Sequence, residues 1–381
     1  MTTWRLVLPV PGLPVAHALG DLDGDGNFDF VVTARPDPGA NALRVFVAMG
    51  RWGGREVSYA SDASRGGAAG VTVDLAAGTA TDGFGSTDIL VGIEGVHGTT
   101  AADVLTGAAG DNSFEGRGGA DTIAGGGGVD QISLYYDDMI GGAGASIDLA
   151  AGTGVGVDGA GFTFTGIERV IGSLRDDTIN GTAGNDYLEG DLGADAVNAG
   201  AGDDTVSVSA GADVLDGGAG VDTLSFVFDP DYPAQYGLDA PGKDATNQAQ
   251  NWNWTGVAVS LATTTAVGPD GSVITYANFE NLQGTRLTDH LIGDAGDNVF
   301  VTYGGDDAID GGLGVDTIDF SPRYSYISHL YIPGQVGYAP NGVTANLAAG
   351  AANDGLGAIT LTGIENIVGS LGADTLTGDA V

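Results

Sequence analysis

The sequence contains no cysteine, so neither disulfides nor thiolate metal sites can hold it together. Basic residues are scarce. Lys and Arg number 12 against 50 Asp and Glu, a net charge of −38. So acidic a chain is repelled by nucleic-acid phosphates and by anionic membranes, and no partnership with nucleic acid is expected. It also repels itself when compact unless cations are bound. No apolar run approaches the ~20 residues of a spanning helix, so no membrane span is expected. Bulky residues are few, with aromatics at 7%, while glycine reaches 69 residues. An ordinary layered core is hard to build from that composition, and a solenoid with a thin inner seam suits it better.

Catalytic signatures are missing too. There is no HExxH helix, no GxSxG elbow and no P-loop. The histidines are His17, His97, His290 and His329, none paired at ligand spacing. A carboxylate pair assembled in space would leave no trace in spacing, but nothing points to one. The chain is therefore expected not to be an enzyme.

What is present is a period of nine. From Gly172 to Ser225 the chain reads GSLRDDTIN, GTAGNDYLE, GDLGADAVN, AGAGDDTVS, VSAGADVLD, GGAGVDTLS. A fixed period in sequence is a repeated unit in space. Complete units also begin at 98, 107, 116 and 125, at 284, 293, 302 and 311, and at 369. The eighth place is apolar in all fifteen units. The sixth is aspartate in all but two: Asp103, Asp121, Asp130, Asp177, Asp186, Asp195, Asp204, Asp213, Asp222, Asp289, Asp307, Asp316 and Asp374, with Asn112 and Asn298 as exceptions. A flexible glycine-rich linker would not keep an apolar residue in phase so long.

One unit explains itself physically. Glycines allow the positive φ of a tight loop. The aspartate and carbonyls turned into that loop are hard oxygen donors suited to Ca2+, which takes six to eight of them. The last three residues form a short strand with its middle side chain inward. Two units make a coil of eighteen residues, so loops eighteen apart stack and an ion can sit between them. The expected pairs are Asp103–Asp121, Asn112–Asp130, Asp177–Asp195, Asp186–Asp204, Asp195–Asp213, Asp204–Asp222, Asp289–Asp307 and Asn298–Asp316. The asparagine pairs carry less charge and are expected to bind more weakly.

GGAGVDTLS (217–225), GGGGVDQIS (125–133) and GGLGVDTID (311–319) resemble the RTX (repeats-in-toxin) nonapeptide GGxGxDxUx. The resemblance implies an all-β fold, a parallel β-roll or β-solenoid with several Ca2+ ions between stacked loops. It also implies export by type I secretion and a secreted, extracellular or bacterial cell-surface location. The first twenty residues have the basic start, apolar stretch and Ala-His-Ala of a signal peptide, but Pro9, Pro11 and Pro14 interrupt them.

Residues 1–66 differ from the rest and read as a small N-terminal β cap. They hold Asp21, Asp23, Asp25, Asn27 and Asp29 in the spacing DxDxDGxxD. That spacing gathers carboxylates and a carbonyl around one point, with Gly26 at the sharp turn. It resembles the calcium hairpin of FG-GAP or VCBS propeller repeats, although Val32 stands where an EF-hand has its glutamate. A longer module then recurs, giving expected boundaries at 67–143, 144–254, 255–340 and an incomplete 341–381. Each module opens with an alternating strand such as VTVDLAAG and runs to a glutamate: Glu94, Glu168, Glu280 or Glu365. Each glutamate lies nine residues before the first aspartate of its block, so the nonapeptide register begins one unit before its glycines. The glutamate is either an outer calcium ligand or an acid that caps the first loop through backbone N–H groups.

The aromatic, amide-rich insertions 226–254 and 320–340 can stack on surface polysaccharide or simply cover a flank. The chain stops four residues into a nonapeptide, at Gly378–Val381, so its last complete unit is expected to show an open edge. Continuation of the chain or head-to-tail contact with a second copy would cover that edge. The expected role is structural or adhesive at a surface, in a matrix or in filaments. The alternatives are the non-catalytic RTX part of an exoenzyme and a glycan-binding module, the latter tested at Trp252 and Trp254.

Overall fold

A computed structural model describes residues 44–47, 56–60, 62, 67, 69–135, 142–208, 210–226, 256–268, 271–321 and 342–379. Among these, strands of three to five residues dominate, and one 3-10 turn occurs at Leu347–Ala349. The Asp21–Asp29 loop and Trp252 and Trp254 lie outside the described residues, as does nearly all of both aromatic insertions. The chain divides into two compact units between Ser173 and Leu174.

In the first unit each coil places one strand on a wide sheet and one on a narrow sheet. The narrow sheet is wholly parallel: Glu56–Ser58, Gly95–His97, Ser113–Glu115, Gln131–Ser133 and Arg169–Ile171 follow one another in register. On the wide sheet Thr72–Asp74, Val104–Thr106, Thr122–Ala124 and Gly161–Thr165 are parallel neighbours. The second unit repeats the scheme. Its narrow sheet runs from Tyr187–Glu189 through Thr205–Ser207, Thr223–Ser225, Asn281–Gln283, Val299–Val301 and Thr317–Asp319 to Asn366–Val368. Pairing eighteen residues apart, as in Ile179↔Val197↔Leu215, is the coil that the nonapeptide predicts.

The roll is not parallel throughout. The alternating strand that opens each module starts a three-stranded antiparallel meander on the wide sheet, for example Thr72–Asp74, Thr79–Thr81 and Thr87–Val91. The same meander recurs at 146–165, 258–277 and 344–362. Its first turn is written locally: Asp74, Asp148 and Asn346 each accept the N–H of the alanine three residues on. A meander therefore adds three strands to the wide sheet and only one to the narrow sheet. At ~4.8 Å per strand the wide sheet gains roughly 10 Å that the narrow one does not.

The eighth-place side chains form the seam between the sheets. Leu105, Phe114, Ile132, Ile179, Leu188, Val206, Leu224, Leu291, Phe300 and Ile318 are fully buried. Val96, Val170 and Leu282, two places after a glutamate, are buried in the same seam. Leu376 is the exception at 44% exposure, because its strand Thr375–Thr377 has a described neighbour on one side only.

Two strands before residue 67 join the roll. Arg44–Val47 pairs with Thr87–Val91, and Glu56–Ser58 extends the narrow sheet. An ion-pair chain ties the latter down: His97 Nε2 lies 2.9 Å from Glu56 Oε2 and Nδ1 2.5 Å from Glu115 Oε2. Burial pulls the His97 pKa down, but bonding to Glu115 and Glu56 prevails and holds it up at about 9.

Candidate metal sites

The loops that precede the strands stack in two rows, one leading to each sheet. All eight expected pairs are joined in the same way. The backbone N–H of the earlier residue donates to Oδ1 of the residue eighteen later, at 2.8–3.1 Å. No described sixth-place side chain before Asp374 is exposed. The short strand and turn put the acceptor aspartate of each pair against the preceding coil, where its carboxylate satisfies a buried N–H that water cannot reach.

The loops fall into two classes that the spacing does not distinguish. From the third unit of a block onward, place four carries positive φ wherever described, and place two does so in most units, as at Gly200 (107°) and Gly202 (121°); Tyr303 is an exception at place two. Arg117 and Asp191 adopt the same left-handed conformation at place two. In the first two units place two is Thr, Ala, Ser or Asp, and its N–H turns back onto its own sixth-place oxygen. Thr99 and Thr285 donate to Asp103 and Asp289 at 2.7 and 2.6 Å, and Thr182 donates to Asp186 at 2.6 Å. These loops are closed by their own backbone. Five of the later loops are open: Oδ2 of Asp195, Asp204, Asp222, Asp307 and Asp316 is buried with no hydrogen-bond partner among the described residues.

Those orphaned oxygens fit a cation. A Cβ added to Gly311 would strike both the carbonyl of Gly363 and Oδ2 of Asp316, and one on Gly217 would strike the carbonyl of Asn278. First-place glycine thus leaves a cradle in which a carboxylate oxygen and a carbonyl of the next coil converge. Among the described residues no three His, Asp or Glu side chains are grouped so as to hold a metal ion, so carbonyls must complete any ligand set. Such hard, mixed oxygen donors suit Ca2+, whose charge would offset the buried carboxylates.

Without a cation the carboxyls resist ionisation. Burial is the largest cause for Asp195, whose pKa is pushed up to about 9; the Asp177 N–H opposes this, while Asp213, Asp177 and Asp176 add to it. Burial likewise raises Asp121 and Asp307 to about 7 and Asp130 and Asp204 to about 6. Asp374 shifts downward, because the Ser370 hydroxyl and the Val343 N–H favour its charged form. Of the other positions, Asp213 and Asp177 each serve one stacking bond, as acceptor and donor.

The module glutamates are placed by the same bonding rule. Oε2 of Glu168, Glu280 and Glu365 accepts the N–H of Asp130, Asp222 and Asp316 at 3.0, 2.8 and 2.9 Å. Each caps the last loop of the preceding block and not the first loop of its own. Glu94 is exposed, and its carbonyl accepts from Asn112 Nδ2 and the Ser113 N–H.

A second ladder went unread in the sequence. At place five the bonding runs the opposite way: the N–H of Val129, Ala194, Asp203, Val221 and Val315 donates to the side chain of Asp111, Asp176, Asn185, Asp203 and Asp297 eighteen residues earlier. The signal was present as doubled Asp or Asn at places five and six, for example Asp176-Asp177 and Asp203-Asp204.

A family model described as the RTX calcium-binding nonapeptide repeat, in four copies, matches residues 97–132, 162–197, 171–206, 193–224, 283–318 and 359–380. Comparison with curated proteins gave no match. Repeated matches over the stacked loops agree with the geometry: the chain carries RTX calcium-binding nonapeptide repeats, folded as a β-roll.

Proposed function

We propose that this chain is a secreted, non-catalytic β-roll that folds when it meets calcium and serves a structural or adhesive role at a bacterial surface or in its matrix. The observation that carries this reading is the set of buried Oδ2 atoms at Asp195, Asp204, Asp222, Asp307 and Asp316, which have no partner among the described residues. Buried charge is tolerated only when paired. A chain with net charge −38 stays expanded where calcium is scarce and compacts where it is plentiful. That difference separates a cytosol from the outside of a cell. RTX repeats accompany export, so folding would follow secretion.

Circular dichroism tests the folding step. Chelator should give a coil spectrum, and added calcium should restore β signal. A chain fully β-structured in chelator would contradict it. Light scattering tests the structural role: calcium should bring assembly at high protein concentration. A calcium-loaded chain that stays monomeric there would remove the matrix role and leave a calcium-dependent module of some larger secreted protein.

A further inference from the structure

Asn112 and Asn298 break the aspartate rule at the same place, the second unit of their blocks. Both are buried. In each, Oδ1 accepts the place-two N–H of its own loop, from Ala108 at 2.6 Å and Asp294 at 2.9 Å. In each, Nδ2 donates to a carbonyl eighteen residues earlier, Glu94 at 3.2 Å and Glu280 at 2.8 Å. Each backbone N–H donates to the aspartate eighteen later. The side chain thus has a donor where a donor is needed and an acceptor where an acceptor is needed.

We infer that Asn112 and Asn298 are metal-free staples: the gaps Glu94–Asn112 and Glu280–Asn298 are closed by an amide and take no calcium ion. A carboxylate there would set an anionic oxygen against the glutamate carbonyl, two acceptors that only a cation could reconcile. In the middle block the same place is Asp186, and Thr182 supplies it with both an N–H and a hydroxyl. Neither Ala108 nor Asp294 has a hydroxyl to offer, and there the chain carries an amide. The staples therefore join the first narrow-sheet strand of blocks one and three to the next without waiting for an ion. This rests on the calcium reading above and refines which gaps hold the metal.

The test is the number of calcium ions per chain, by metal analysis after dialysis against buffered calcium. Asn298→Asp should bind one more ion than the wild type, and the double variant Asn112→Asp/Asn298→Asp two more. An unchanged count in folded variants would overturn the inference. Asn298→Ala guards against an aspartate variant that does not fold. It should keep the wild-type count while melting several degrees lower in saturating calcium, because the Glu280 carbonyl loses a donor. A lower count in that variant would show that Asn298 holds an ion and would equally overturn the inference. Failure of the calcium reading looks different, since the wild type would then bind no ion.

Discussion

The two rows of loops are made from one nonapeptide, yet they cross the meanders differently. The row that leads to the narrow sheet is relayed across: Asp186, Asp204 and Asp222 hand their N–H groups forward, and Glu280 receives the last of them. Glu365 does the same for Asp316. In the row that leads to the wide sheet the sixth-place ladder starts again after a meander, although Gly119 still donates to Asp158 and Ala358 to Asp306 within the meanders. Val71, Val257 and Val343 begin it anew by donating to Asp103, Asp289 and Asp374. The reason is geometric. A meander enters on the wide side and contributes one in-register strand to the narrow side, so only there can an acid keep its place. Only the narrow-sheet row therefore passes its sixth-place ladder from one block to the next.

The largest effect should come from within a block. Asp195→Ala removes the acceptor of the Asp177 N–H and an orphaned oxygen, in a residue whose own N–H binds Asp213. A buried donor left unpaired costs about 1–3 kcal/mol, and loss of a ligand adds to that. The calcium midpoint should rise several-fold, whereas Asp374→Ala, at the partly exposed last unit, should barely move it. Equal midpoints in a calcium titration would erase the distinction between interior and terminal loops.

Cutting the relay should cost less. Glu280→Ala leaves the Asp222 N–H without its acceptor, at about 1–3 kcal/mol. Glu280→Gln keeps an oxygen there and should recover most of the loss. The alanine variant should also split the calcium-induced transition into two, since the blocks on either side lose their connection. A single transition as sharp as the wild type's would mean that the rows do not differ in coupling.

The pH response should differ with and without metal. Asp195, Asp121, Asp307, Asp130 and Asp204 have folded pKa values of about 9, 7, 7, 6 and 6 in the metal-free chain. All lie above the ordinary ~4 of an unfolded aspartate, so the folded state binds protons more tightly. Metal-free stability is thus present at low pH and is lost as pH rises from about 4 towards 9. In calcium the trend reverses, because protons compete for the same oxygens. Circular dichroism against pH in both buffers checks this; a chelated protein that gains β signal between pH 5 and 8 would refute it.

The smallest effect separates the loop classes. Gly110, in a closed loop, has open space where a Cβ would go and no left-handed φ, so Gly110→Ala should stay within about 0.5 kcal/mol. Gly220, at the same place of an open loop, has φ 155° and lies against the Gly202 carbonyl. Gly220→Ala should cost clearly more, as thermal melts in calcium would show.

Much of this was legible in the letters. The period of nine, the inward eighth place and the eighteen-residue stacking follow from glycine's freedom and the alternation of a strand, both local properties. Glu94, Glu168, Glu280 and Glu365 could be placed in register because Val96, Val170, Leu282 and Ile367 stand two residues on. The bonds that the side chains of Glu168, Glu280 and Glu365 make could not be read, since each reaches a residue of the preceding block across a meander. Asp130 and Glu168 are 38 residues apart, and Asp222 and Glu280 are 58. The place-five ladder of Asp111, Asp176 and Asp203 was written in the sequence but has meaning only once coils are stacked. The sequence by itself determined the repeat, its inward seam and the oxygen chemistry of its loops, because these depend on neighbours within nine residues. Only the tertiary structure decided which loops are closed, which leave an oxygen without a partner and which row passes the meanders. Those outcomes depend on the coil above, whose backbone donors sequence spacing does not reveal.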